Sequence, residues 1–279
     1  MLSYRHAFHA GNFADVLKHL VLSEVLVYMG AKDKGYSYID THSGAGMYQL
    51  RDEKAKKTAE YLDGIAKIWQ RDDLPEALLS YVDYIQQLNN NGHLLLYPGS
   101  PSIAEHFMRR QDAAFLYDLH PTDFNLLNDN FGKKRKFQLF KSDGYKAFKA
   151  HLPPATGRTV MLIDPPYEIK TDYKQAVNTI ITAYQRFNAG TYLLWYPVVN
   201  RELVTNMERQ FCDSNVRNVL QVELAMSPDS DEHGMTASGL FIVNPPWTLA
   251  NKLKEALPYL VKQLSAELGS FTLEQLIKE

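Results

Sequence analysis

Cysteine is almost absent: Cys212 stands alone among 279 residues. A single thiol cannot close an internal disulfide, nor can it build a four-thiolate zinc site or an iron–sulfur cluster. A reducing, cytoplasmic setting is expected. Long apolar runs are missing as well; stretches such as 192–199 fall far below the roughly 18 residues that suggest a bilayer-crossing helix. Arg5, His6, His9 and Asn12 interrupt the place where an apolar export signal would lie, so a soluble chain starting near Met1 is expected. Neither sign of charge is in excess. Lys plus Arg is 30 against 32 for Asp plus Glu, a formal charge of −2, so a polyanionic partner must meet a local basic patch. There is no internal repeat or low-complexity tract. What remains is a globular balance, 45% apolar and 22% charged, which excludes disordered, collagen-like and disulfide-scaffold chains. The length suits one large domain or a domain carrying an insertion.

Asn12 can cap a helix running to about Met29, with Phe13, Val16, Leu17, Leu20, Val25 and Leu26 on its apolar face and Lys18 and His19 riding on it. Residues 36–40 read as a short buried strand that ends in Thr41-His-Ser-Gly-Ala-Gly46, a glycine-rich turn. From Leu50 to Gly92 no strand is convincing, and Tyr61, Leu62, Ile65, Ile68 and Trp69, then Leu78, Leu79, Val82 and Ile85, recur at helical spacing. Ser100-Pro101 offers a cap and a first-turn proline for a helix to about Arg110. Short apolar runs at 113–117, 137–140, 159–163 and 191–196 alternate with helix-compatible stretches, the βαβ rhythm of a parallel sheet. Runs at 217–225 and 240–243, joined by a polar loop without room for a crossover helix, should pair antiparallel. The expected fold is α/β and Rossmann-like: five parallel strands plus a terminal antiparallel hairpin. Its parts are residues 1–49 (arm, helix, first strand), a helical insertion over 50–95, and the rest of the core over 96–279.

In such a sheet ligands bind beyond the carboxyl ends of the strands. Those positions hold Asp40 and the turn with Gly44 and Gly46, then Asp118, then Asp143-Gly144, then Asp164-Pro-Pro-Tyr167. An acid after the second strand can accept from both ribose hydroxyls, and Asp118 fits; taken singly it would be an ordinary loop carboxylate. A dinucleotide loop would need a third small residue, but Gly44-Ala-Gly46 is followed by Met47, Tyr48 and Gln49, which disfavours a nicotinamide enzyme. Asp164-Pro165-Pro166-Tyr167 is the most specific string. An exocyclic base amine is a poor nucleophile because its lone pair is delocalised. A carboxylate and a rigidly held carbonyl that accept its two N–H bonds aim that lone pair at an electrophile, and Asp164 and the Pro165 carbonyl suit this, with Tyr167 as a stacking ring. The alternative is a stiff strand-to-loop turn. Asn244-Pro-Pro-Trp247 has a similar pattern but ends a hairpin strand, so it is read as structural. Tyr4, Arg5 and His6 read as a nucleic-acid-contacting arm or else a frayed terminus, and His6, His9 and His19 lack the company a metal site needs. On pattern alone His19 is a helix-surface residue.

With these strings in view, the sequence resembles the RlmJ family of 23S ribosomal RNA adenine-N6 methyltransferases, of the class I type that uses S-adenosyl-L-methionine. The resemblance spans nearly the whole chain. It rests on Tyr4-Arg-His-Ala-Phe-His-Ala-Gly-Asn12 leading into Ala14-Asp-Val-Leu-Lys-His19, on Asp40-Thr-His-Ser-Gly-Ala-Gly46, on Tyr97-Pro-Gly-Ser-Pro101, on Asp164-Pro-Pro-Tyr-Glu168 and on Asn244-Pro-Pro-Trp247. It implies that His19, His42, Ser100, Asp118, Asp143 and Gly144 line the cofactor pocket, that Gly44 and Gly46 form the class turn, that Asp164 sits between cofactor and target amine, and that Tyr4 contacts substrate. It also implies a helical insertion.

The expected activity is methyl transfer from S-adenosyl-L-methionine to the N6 amine of an unpaired or flipped adenine in large-subunit ribosomal RNA, by a monomer, with no metal and no membrane. Lys133-Lys-Arg-Lys136, the insertion lysines Lys54, Lys56 and Lys57, and the N-terminal arm are candidates for phosphate contact. The rival readings are a DNA adenine-N6 methyltransferase and a non-catalytic RNA- or nucleotide-binding module on the same fold.

Overall fold

The computed structural model describes residues 5–230, 234–265 and 267–279, so the expectation placed on Tyr4 lies outside the described residues. The Asn12 side chain accepts the Asp15 N–H at 2.9 Å and starts helix α1 (Phe13–Gly30). This helix is not amphipathic in the expected way. Val16, Leu17, Leu20, Val21, Leu22, Val25 and Leu26 are all fully buried, and so, nearly, are Asp15, Lys18, His19 and Glu24. A helix apolar on most of its circumference belongs in the interior, and α1 lies between the sheet and other helices.

After β1 (Ser37–Asp40) and its turn come β2 (Met47–Gln49), α2 (Glu53–Thr58), two 3₁₀ turns, α3 (Glu76–Leu88) and β3 (Leu96–Pro98). The run Tyr61 to Trp69 that looked helical is broken into 3₁₀ turns at Glu60–Asp63 and Ile65–Lys67. Gly64 between them passes so close to Gly11 and Asn12 that any side chain there would strike their backbone. Then follow α4 (Ser100–Phe107), β4 (Ala113–Tyr117), α5 (Pro121–Phe131), β5 (Phe137–Phe140), α6 (Ala147–His151), β6 (Thr159–Ile163), α7 (Thr171–Arg186) and β7 (Thr191–Val198). The chain ends with α8 (Arg201–Cys212), β8 (Val219–Ala225), β9 (Ala237–Val243), α9 (Leu249–Leu264) and β10 (Ser270–Ile277).

The eight-stranded sheet has the order β10-β8-β9-β7-β6-β1-β4-β5. Its five strands β5, β4, β1, β6 and β7 run parallel, and β9, β8 and β10 are antiparallel. This is the expected Rossmann-like sheet with its terminal hairpin, extended by β10, an edge strand that the sequence reading missed, while β2 and β3 pair as a separate ribbon. Strands covered by helices on both faces carry apolar side chains on both: in β6, Val160 and Leu162 enter one core, and Met161 and Ile163 enter the other. The chain reverses its winding between β1 and β6, where a crevice opens at the strand carboxyl ends. Among the described residues no helix is long and apolar enough to cross a membrane.

Candidate functional site

At that crevice Asp40, the last residue of β1, is fully buried. Its Oδ2 accepts from the Tyr38 hydroxyl at 2.8 Å and the Ser100 hydroxyl at 2.7 Å, and its Oδ1 accepts from the His42 N–H at 3.3 Å. Burial pushes this carboxyl up to about 6 even so, against the pull of those donors. Ser100 therefore spends its hydroxyl on Asp40 instead of capping α4, whose N-cap is Gly99, and the helix stops at Phe107, short of Arg110.

The turn after β1 is drawn across the end of β4. The Ser43 N–H donates to the Tyr117 carbonyl at 2.8 Å, and the Gly44 N–H donates to Asp118 Oδ2 at 2.8 Å. Gly44 has φ +57°, which a residue with a Cβ rarely adopts, so glycine lets the turn present this amide. Asp118 also takes the His120 N–H at 2.7 Å, and burial raises its carboxyl to about 6.

Helix α1 supplies the next wall. Lys18 Nζ lies 2.8 Å from Asp15 Oδ1 and 2.7 Å from Asp164 Oδ2. His6 Nε2 reaches the other Asp15 oxygen at 2.9 Å, and the Gly11 N–H donates to it at 2.9 Å. Burial alone would push the Asp15 carboxyl up, but the charges of His6 and Lys18 hold it well below the usual carboxylate range. His19 is 1% exposed, and its Nδ1 shares a hydrogen bond of 2.8 Å with the Tyr97 hydroxyl, itself 2.8 Å from that of Tyr81. The helix-surface reading of His19 is thus overturned: the face of α1 that carries it is buried. Burial pushes His19 down to about 3 and His42 to about 4, so both imidazoles are neutral at pH 7.

These groups enclose one pocket, lined by His19, His42, Gly44, Ser100, Asp118, Asp164 and Pro165 together with Lys18. A second cavity adjoins it, sharing Lys18, Asp164 and Pro166. Its far wall is aromatic. Tyr167, at φ +50°, donates its hydroxyl to the Trp195 carbonyl at 2.6 Å and packs on Tyr173 with ring centroids 4.4 Å apart. Trp195 also lies under Lys18 Nζ, 5.5 Å from its ring centroid. Asp164 thus stands on the partition between an enclosed polar pocket and an aromatic-walled cleft.

A family model described as "Ribosomal RNA large subunit methyltransferase D, RlmJ" matches residues 33–277. The chain is 49% identical to the "Ribosomal RNA large subunit methyltransferase J" of Escherichia coli over 100% of each chain, and 47% identical to that of Haemophilus influenzae over the same share. A crystal structure of a Legionella pneumophila protein, 39% identical, superposes with a TM-score of 0.89 over 96% of this chain and 98% of that one. The chain belongs to the RlmJ family.

Not every residue that the RlmJ resemblance singled out lines the enclosed pocket. Gly46 (φ +75°) packs its backbone on Phe131 and shapes the turn from behind. Asp143 caps the Tyr145 N–H at 3.0 Å and pairs with Lys146 at 3.0 Å, opening toward a neighbouring groove. Gly144 abuts the Thr41 carbonyl so closely that a Cβ would overlap it. Tyr167 belongs to the cleft. Asn244 lies beside the first residues of β7, at the opposite edge of the sheet from Asp164, and its side-chain amide donates to the Asn188 and Gly190 carbonyls at 2.8 Å each. Lys133 to Lys136 also sit at that opposite edge, before β5; Lys134 pairs with Glu105 at 2.6 Å, and Lys136 donates to the Met108 carbonyl at 3.0 Å. The side chains of Lys54 and Lys56 lie outside the described residues.

Sequence reasoning missed Lys18, Asp15 and His6 as parts of the site. For Asp15 and Lys18 the available signal was their company: charges on a helix this apolar must be buried and paired.

Proposed function

We propose that this RlmJ-family chain methylates the exocyclic N6 amine of an unpaired or flipped adenine in 23S ribosomal RNA. The observation that carries the reading is Asp164 on the wall shared by the two cavities, followed at once by a diproline. In this reading His19, His42, Gly44, Ser100, Asp118 and Asp164 hold S-adenosyl-L-methionine, Gly46 and Gly144 let the backbone behind them pack closely, Asp143 stands at the neighbouring groove, and residues 50–95 are an insertion into one methyltransferase core. The donor set suits that ligand. Asp118 offers acceptors to ribose hydroxyls, the neutral His19 and His42 add no charge to oppose a sulfonium, and the one ammonium nearby, Lys18, is held between the carboxylates of Asp15 and Asp164. S-adenosyl-L-methionine supplies an electrophilic methyl group when bound.

The residues of the chain do the rest. Lys18 holds one oxygen of Asp164, leaving Oδ1 to accept an amine N–H, and the buried Pro165 has a carbonyl with no rotational freedom to spare. Two such acceptors favour a pyramidal nitrogen whose lone pair points across the partition. Tyr167, Tyr173 and Trp195 offer a flipped base rings to rest on. The protein acts in the cytoplasm as a monomer in this reading.

The test is transfer of labelled methyl from S-adenosyl-L-methionine to unmodified large-subunit ribosomal RNA, digested to nucleosides, with duplex and single-stranded DNA alongside. Label is expected in N6-methyladenosine from the RNA. Asp164→Ala should lower kcat by at least about a hundredfold and leave the fold intact. Label confined to DNA, or full activity in Asp164→Ala, would refute the reading.

A further inference from the structure

Five exposed lysines gather at the edge of the sheet where β5 and β6 end: Lys141 after β5, Lys146 and Lys149 at α6, and Lys170 and Lys174 at the first turn of α7. Ion pairs among the described lysines are made by Lys18, Lys67, Lys134, Lys146 and Lys252, so among the described residues four of these five have no carboxylate within pairing distance. Lys146 pairs with Asp143 yet keeps its side chain 69% exposed. The track is continuous with the site. Lys170 lines both the aromatic cleft and the groove between α7 and α8, and Lys174 lines that groove and the next, which also holds Lys146 and Lys149. Lys170 has helical dihedrals, so Lys170 and Lys174, one turn apart, share a face of α7. The carboxylates lining the two grooves are Asp143 and Asp213; Asp15, Glu60, Asp63, Asp164 and Glu168 line the cleft itself, and Asp172, between the two α7 lysines, is buried.

A chain of net charge −2 gains affinity for a polyanion only where cations are concentrated and uncompensated. Lys133 to Lys136 fail on both counts, being at the far edge and partly engaged within the fold. We propose that the RNA backbone leaving the target nucleotide runs along the lysine track, with Lys170 and Lys174 meeting the first phosphates beyond the cleft. This rests on the reading that the chain methylates ribosomal RNA.

The test compares the full-length wild type with Lys170→Glu/Lys174→Glu, and with Lys133→Glu/Arg135→Glu as the far-edge control. The α7 pair should raise KM for large-subunit RNA at least about tenfold with kcat nearly kept, and should make the dependence of log KM on log salt shallower by about 1.4–1.8, two phosphate contacts' worth. Affinity for S-adenosyl-L-methionine, measured by calorimetry, should not change, and Lys170→Arg/Lys174→Arg should behave as wild type. An unchanged KM and salt slope in the α7 pair, or losses confined to the far-edge control, would overturn the proposal. RNA binding by fluorescence anisotropy separates the two readings: if the wild type transfers no methyl to RNA, the proposed function fails, and the track stands or falls on whether the α7 pair weakens binding.

Discussion

Replacing Lys18 by Met tests the central electrostatic arrangement. The ammonium is 4% exposed and lies 2.8 Å from Asp15 and 2.7 Å from Asp164. Met fills most of the space of the lysine stem, so the loss is chiefly of charge, not of packing. Removing one partner of a buried ion pair costs about 3–5 kcal/mol, because the other charge stays buried. Two features place this case at the lower end. Asp15 keeps His6 and the Gly11 amide, both at 2.9 Å, and Asp164, with its side chain 14% exposed, can reach water. About 3 kcal/mol, set against an unfolding entropy of about 2.1 cal/mol/K for each of 279 residues, lowers Tm by about 5 °C. The catalytic loss should be larger. Without its cation Asp164 is free to rotate, and a misplacement of about 1 Å at a reacting centre costs about a hundredfold in kcat. Thermal denaturation and single-turnover methyl transfer measure the two effects on one sample. A Tm within about 1 °C of wild type, or a kcat reduced less than about threefold, would refute the claim that Lys18 fixes Asp164.

Ser100→Ala removes a donor to the buried Asp40 carboxylate and should cost about 2 kcal/mol near pH 8. The folded carboxyl, raised to about 6 from 3.8, contributes stability that is complete below about pH 4 and lost as pH rises through 6, so the Ser100→Ala penalty should shrink by about pH 5, where Asp40 is already protonated; a penalty independent of pH in thermal melts would contradict this. Gly144→Ala drives a methyl into the Thr41 carbonyl and should lower stability by at least about 2 kcal/mol while weakening S-adenosyl-L-methionine binding in calorimetry. Tyr97→Phe leaves the His19 ring without its hydroxyl partner and should cost about 1–2 kcal/mol, read by chemical denaturation, together with several-fold weaker cofactor affinity.

How far the fold could be read from the sequence depended on what holds each element. β6 was legible to the residue because burial on both faces demands a continuous apolar run, and β4 and the edge strand β5 because their apolar residues still pack into the cores. β10 was not, since most of its side chains are exposed and its ladder to β8 is made by backbone groups that any sequence supplies. β2 and β3, at three residues each, are too short to show a period. The failed helix over Tyr61 to Trp69 has another cause: a non-local approach of Gly64 to Gly11 and Asn12 decides the local geometry.

The site divides the same way. Asp40, Asp118 and Asp164 were legible because topology alone brings the ends of parallel strands to one edge. Lys18 was not, because a charge on an apolar helix reads as solvated until the face that carries it is known to be buried. The two classes of residue meet in one electrostatic argument. Asp118 and Asp164 face the enclosed pocket, His19 and His42 are neutral, and Lys18 is flanked by two carboxylates. Such a pocket would repel a pyrophosphate, the anion that a glycine-rich turn at a helix start ordinarily attracts. On the proposed function its ligand instead bears a positive charge beside a nucleoside. On that reading the missing third small residue after Gly46 and the acids at the strand ends make a single statement about charge: the turn approaches its ligand closely, and that ligand is not a dinucleotide.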